Sequence, residues 1–112
     1  MDNCIFCKIA RGEIPCDKVY EDERVLAFRD IEPHAPVHVP IIPKAHFANI
    51  LEADDETCLY LLKIAKKLAK ELGVADTGFR LATNTGKDAG QSVEHLHIHL
   101  LGGRMLGHPA GE

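Results

Sequence analysis

An excess of basic residues is what this chain most plainly lacks. Its 13 Lys and Arg stand against 17 Asp and Glu, for a formal net charge of −4 over 112 residues. Binding that depends on a broad positive field, to bulk nucleic acid or to an anionic membrane surface, is excluded as the main role. Phosphate handling, if present, has to be local. No apolar run approaches the roughly 20 residues of a membrane span; Val39-Pro40-Ile41-Ile42 is typical of the longest. Met1-Asp2-Asn3-Cys4 shows no charged-then-apolar signal pattern, so the expected location is cytoplasmic. Repeats, low-complexity tracts and linkers are missing too. With 46% hydrophobic residues, the expectation is one domain over 1–112 with a single core.

The lack of a secretory pattern also weakens a disulfide scaffold as the use of the four cysteines. Cys58 falls at an apolar helical position and Cys16 follows Pro15 in a turn, which suits unpaired thiols. Cys4 and Cys7 differ. Their Cys-x-x-Cys spacing is that of a metal half-site or a redox motif, and no βαβ pattern follows to support the redox reading.

What is present is strong periodicity. Ile5, Phe6 and Ile9 share one side of a short helix ending at Gly12. Lys18-Val19-Tyr20 and Val25-Leu26-Ala27-Phe28 read as a hairpin around the charged turn Glu21-Asp22-Glu23-Arg24. After a Pro-rich connection, residues 37–42 read as a third strand, in which Pro40 has no amide to donate and requires an edge, a bulge or solvent. Between Asp54 and Leu72, Cys58, Leu61, Leu62, Ala65, Leu68, Ala69 and Leu72 recur at helical steps, while Lys63, Lys66, Lys67 and Lys70 form the solvated side. Acidic residues open this helix, lysines close it and Gly73 stops it. Residues 79–83 form a fourth strand, and a polar loop over 84–92 leads to a fifth. The fold class expected is α+β with a mostly antiparallel sheet.

The fifth strand carries the chemistry. In His95-Leu96-His97-Ile98-His99-Leu100-Leu101 three histidines alternate with large apolar residues, so period 2 puts the imidazoles on one face and Leu96, Ile98 and Leu100 in the core. Histidine titrates nearest to working pH, and three in a row point to catalysis or metal binding rather than to an ordinary solvent face. Same-face positions lie about 6.5 to 7 Å apart, so the outer two are about 13 Å apart. One zinc, with nitrogens at about 2.0 to 2.1 Å, cannot take all three. Such a row suits an extended polar substrate, a phosphate with a group on either side. The loop Thr85-Gly86-Lys87-Asp88-Ala89-Gly90-Gln91-Ser92 can converge backbone amides on anionic oxygens, with the Ser92 hydroxyl as a further donor. His97, flanked on both sides, is the natural nucleophile toward phosphorus; Ser92 or a neighbouring histidine can protonate the leaving group, and His99 can orient the attack.

These seven residues match the full histidine-triad signature. Asn3-Cys4-Ile5-Phe6-Cys7-Lys8-Ile9, Gly12-Glu13-Ile14-Pro15, Leu26-Ala27-Phe28-Arg29-Asp30-Ile31, Ile42-Pro43-Lys44-Ala45-His46, Gly90-Gln91-Ser92-Val93 and Leu101-Gly102-Gly103-Arg104 extend the likeness over nearly the whole chain. The chain thus resembles the Hint branch of the histidine triad (HIT) family. That resemblance implies a HIT-like fold, with one short and one long helix on a five-stranded sheet and two sheets joined in a homodimer. It also implies a nucleotide-binding hydrolase that cleaves the P–N bond of purine nucleoside 5′-phosphoramidates, nucleotidylated lysine included. By matching positions, His97 would be the nucleophile, with His99, His95, His38 and Ser92 around it. Asp30 would hold the ribose hydroxyls; Ile31, Phe28, Phe6 and Ile5 would surround the base; Asn84, Gly90, Gln91 and Ser92 would meet the phosphate and leaving group. Relatives of bacterial type bind a structural zinc through positions that here are Cys4, Cys7, His46 and His95.

Some positions depart from the pattern. Glu94 stands where many relatives carry an aromatic residue, and Pro40 where they carry a strand former. His108 occupies the place of a tail tryptophan in animal members, and tryptophan is absent altogether. Two other functions stay open: hydrolysis or transfer on dinucleoside polyphosphates, and non-catalytic nucleotide or zinc binding.

Overall fold

Asp22 shows how the first hairpin closes. Its Oδ1 accepts the Arg24 and Val25 amides at 2.7 and 2.8 Å, which turns the chain between β1 (Lys18–Glu21) and β2 (Val25–Phe28). Its Oδ2 accepts the hydroxyls of Tyr20 and Tyr60, tying the turn to the long helix. This computed structural model describes residues 3–108; the readings on Met1, Asp2 and the last four residues lie outside the described residues. The other elements are α1 (Ile5–Ala10), β3 (Val37–Pro43), α2 (Asp55–Glu71), β4 (Phe79–Ala82) and β5 (Ile98–Gly102). They form one five-stranded sheet in the order β1-β2-β3-β5-β4, each neighbour antiparallel. Element order and α+β class are those expected.

The period of the strands sorts the core into two layers. Val25, Ala27, Val39, Ile41, Ile98 and Leu100 point to one face and are covered by Leu61, Ile64, Ala65, Leu68 and Ala69 of α2. Leu26, Phe28 and Ile42 point to the other, where Ile9 and Phe6 of α1 cover them. The α2 boundaries follow from its caps: the Asp54 carboxylate accepts the Thr57 amide at 3.0 Å, and Gly73 adopts φ +78° just past the end. One rotation differs from expectation. Leu62 is 41% exposed and Ile64 is buried at 3%, because the stripe centres on the Leu61-Ala65-Leu68 line and Leu62 lies at its margin.

Two strand expectations need correction. Pro40 sits in an interior strand, not at an edge; it stands opposite His99 of β5, and on its other side the β2–β3 ladder ends at Ala27 opposite Ile41, so no rung toward β2 is due at the proline. The histidine strand begins at Ile98 rather than at His95. Pro43 has no amide to offer there, its carbonyl is taken by the His95 ring, and the Leu96 amide turns to the Phe47 carbonyl at 2.7 Å.

Candidate active site

The imidazoles of His97 and His99 fall on the α1 face, opposite α2. The row is longer and drier than a strand face predicts. Successive ring centroids lie 5.0 Å apart for His46–His95, 4.8 Å for His97–His99, 5.0 Å for His99–His38 and 5.5 Å for His38–His34. The Phe6 ring fills the gap in the middle, edge-on to His95 at 6.0 Å and to His97 at 5.1 Å. Helix α1 thus closes over the row, and His95 and His97 are 0% and 4% exposed.

Backbone groups set the tautomers. The His34 amide donates to His38 Nδ1 at 3.0 Å, so the neutral His38 ring holds its proton on Nε2 and donates it to His99 Nδ1 at 2.9 Å. That leaves the His99 proton on Nε2. Asp30 Oδ2 lies 3.5 Å from His38 Nε2, while Asp30 Oδ1 accepts the Glu32 amide. At the centre, His97 Nδ1–H donates to the His95 carbonyl at 2.7 Å, which leaves Nε2 with a free lone pair. His95 Nε2–H donates to the Pro43 carbonyl at 2.8 Å, so His95 Nδ1 faces the cysteines unprotonated.

Burial disfavours the imidazolium form of His38, His95 and His99. It is the first cause that lowers His99, to about 4, with the neighbouring His97 and His38 adding to it; burial likewise lowers His38 and His95. These rings are neutral in the fold, whereas an unfolded chain protonates them near pH 6.5. Between pH 6.5 and about 4 the unfolded state binds the more protons, so stability is full above that window and falls through it. Urea midpoints taken from neutral pH down to pH 4.5 should therefore decline, and His99→Gln should make the decline shallower. An equal slope in that variant would mean that His99 is not buried neutral.

At the far end, Cys4 Sγ lies 3.2 Å and Cys7 Sγ 3.5 Å from His95 Nδ1, and Cys7 Sγ lies 3.2 Å from His46 Nδ1. All four ligand atoms fall within 4.8 Å of one another. A tetrahedral site with ligand distances of about 2.0 to 2.3 Å has edges of about 3.3 to 3.8 Å, so the donors suit one metal ion. Cys4 caps α1, its sulfur accepting the Cys7 amide at 3.2 Å. Burial, then the neighbouring Cys4, pushes the Cys7 thiol up to about 11, the penalty that a bound cation reverses.

The remaining site residues fall less tightly together. Phe28 is buried against Phe6, ring centroids 5.6 Å apart, whereas Ile5 is partly exposed and Ile31 fully so. Asn84 is half-buried, with no hydrogen bond among the described residues. The loop spends its amides on itself: the Gly90 and Gln91 N–H groups bond Lys87 and Gly86 carbonyls. Gln91 is a brace, accepting the Gly86 amide and donating to the Ala48 and Val93 carbonyls. Ser92 is exposed and, with Ile5, His46 and Glu94, lines a cavity of about 350 Å³ beside the Cys/His cluster. Sequence reasoning missed the backbone partners at His34, Pro43 and His95, and the Thr83 hydroxyl that donates to the His97 carbonyl. No side-chain pattern announces a backbone acceptor.

The HIT domain profile matches residues 11–106. The purine nucleoside phosphoramidase of Escherichia coli K12 is 48% identical over 109 residues, spanning 95% of this chain and 92% of that protein. Among solved structures, a HIT family hydrolase from Legionella pneumophila superposes with a TM-score of 0.93 at 51% identity, covering 97% of this chain and all of the other. A histidine triad protein from Clostridium difficile gives a TM-score of 0.90 at 49% identity, with 96% of each chain covered.

Proposed function

The chain belongs to the HIT family, and from that premise we propose that it is a hydrolase cleaving the P–N bond of purine nucleoside 5′-phosphoramidates through a nucleotide held covalently on His97. The observation that carries this reading is the hydrogen bond from His97 Nδ1 to the His95 carbonyl, which leaves the Nε2 lone pair free to attack. Nε2 forms the bond to phosphorus as the P–N bond breaks, and the departing amine takes a proton from Ser92 or a flanking histidine. Water then cleaves the nucleotidyl-imidazole. His99, its proton on Nε2 through the relay from His38, donates to a phosphoryl oxygen as charge develops there. Asp30 holds the ribose hydroxyls, and Phe6, Phe28, Ile5 and Ile31 bound the purine. Asn84, Gly90, Gln91 and Ser92 frame the phosphate, with Gln91 acting through the loop that it braces.

The metal that suits Cys4, Cys7, His46 and His95 in this reading is zinc, since two thiolates and two imidazoles match its preferred donors. A closed set of four ligands gives it a structural role, with no position for water. The protein works as a homodimer of joined sheets. No helix among the described residues is long and apolar enough to cross a membrane.

A substrate panel tests the activity. Adenosine 5′-phosphoramidates should be turned over with a kcat/KM at least tenfold above that for dinucleoside polyphosphates. Equal or reversed preference would overturn the assignment.

A further inference from the structure

We infer that the Cys4–Cys7–His46–His95 centre positions the nucleophile, through Phe6 and the His95 carbonyl, in addition to fastening α1. The inference rests on the reading of His97 as the attacking group. Besides the edge-on His99 ring at 4.8 Å, two contacts hold the His97 ring, and both lead back to the metal ligands.

The first is the His95 carbonyl, which accepts the Nδ1 proton at 2.7 Å. His95 is wholly buried and its ring is engaged at both nitrogens, Nε2 on the Pro43 carbonyl and Nδ1 against the two sulfurs. A metal ion in place of those close sulfur contacts would anchor that ring, and with it the peptide whose carbonyl selects the His97 tautomer. This is the outer-shell logic of metal sites run in reverse: the ligand's own backbone orients a reacting group.

The second contact is Phe6, edge-on to His97 at 5.1 Å and to His95 at 6.0 Å. Phe6 lies two residues after one sulfur ligand and one before the other, inside a helix of only six residues. A helix that short has no stability of its own, so anchors set its position. Its anchors are the apolar contacts of Ile9 and Phe6 with Phe28, Leu26 and Ile42, and the Cys4–Cys7 ligand pair. Without the metal, one anchor is lost and Phe6 is free to shift off the ring it wedges. His97 can then turn over and present its Nδ1 side. A hydrogen bond of this kind is worth about a tenfold bias between the two arrangements, so the loss is read in kcat.

The experiment uses the full chain with ¹⁵N-labelled histidine, loaded with Zn²⁺ and after removal of metal by a chelator under reducing conditions. The ring nitrogen shifts report the tautomer, and difference spectra against His97→Ala assign them. In the loaded protein His97 should carry its proton mainly on Nδ1; in the metal-free protein both tautomers should appear in comparable amounts and kcat should fall about twofold. Phe6→Leu should keep one equivalent of zinc yet show the same mixture of tautomers, and Phe6→Tyr should restore the single dominant tautomer. Unchanged His97 signals in the metal-free protein would overturn the inference. Should that form unfold, unchanged signals in loaded Phe6→Leu would do so, and a rise in KM alone would make Phe6 a wall of the nucleoside pocket and nothing more. A loaded wild type that cleaves no phosphoramidate counts against the proposed reaction, while the tautomer measurement still decides the positioning.

Discussion

His97→Ala should lower kcat on an adenosine 5′-phosphoramidate by a factor on the order of ten thousand or more, the scale expected when a covalent nucleophile is deleted. The geometry explains so large an effect. Of the buried histidines among the described residues, only His97 has a backbone acceptor on Nδ1, so its Nε2 presents a lone pair with no proton to shed first. His99 and His38 are spent on each other and on the His34 amide, and His95 is spent on Pro43 and the sulfurs. No neighbour can take over the attack. Quenched reactions analysed by intact mass should show a nucleotidyl adduct on the wild type and none on the variant. Circular dichroism should report the same fold in both. Rates in the variant within a hundredfold of wild type would refute covalent catalysis at this residue.

Cys4→Ser should give the second large effect, on stability. Serine keeps the cap of α1, because its hydroxyl can accept the Cys7 amide as the sulfur does, so the substitution isolates the metal. Protein purified without chelators should carry about one zinc per chain, and the variant almost none. Binding at a free concentration a thousandfold above Kd stabilises the native state by about 4 kcal/mol. In a domain of this size 1 kcal/mol moves the midpoint by about 4 to 8 °C, so Tm should drop by roughly 15 °C or more. Cys58→Ser, remote from the cluster, is the control and should retain the metal. Wild-type protein free of metal would reject the four-ligand site.

Much of the fold was legible because the elements carry local signals that agree with the tertiary arrangement. Helix α2 has an acidic cap, an apolar stripe and a glycine stop, and tertiary packing altered only the margin of its buried face, at Leu62 and Ile64. The β1–β2 hairpin was marked by its charged turn, although the particular role of Asp22 was not. The start of β5 was misplaced because alternation in His95-Leu96-His97 persists where hydrogen bonding does not. A proline on the neighbouring strand, Pro43, decides that boundary, and it lies 52 residues away in sequence from His95. Pro40 was harder than it needed to be: a missing amide is harmless wherever a ladder stops, and only the strand pairing shows where that is.

The candidate site divides along the same line. Three imidazoles on one face and a Cys-x-x-Cys half-site follow from spacing alone, since period 2 and the pitch of a helix turn are local geometry. The partnership of Cys7 with His46 and His95, 39 and 88 residues distant, follows only from the way β3 and β5 bring those segments beneath α1. Burial, too, is a property of the assembled layers; the strand face that alternation would leave to solvent is sealed by Phe6. Protonation is the last thing to be set. The residue types supply three rings able to be acid, base, nucleophile or ligand, and the amide of His34 with the carbonyls of Pro43 and His95 assigns each its tautomer. Every residue carries those backbone groups, so their placement in three dimensions, and nothing in their identity, divides the labour among the histidines.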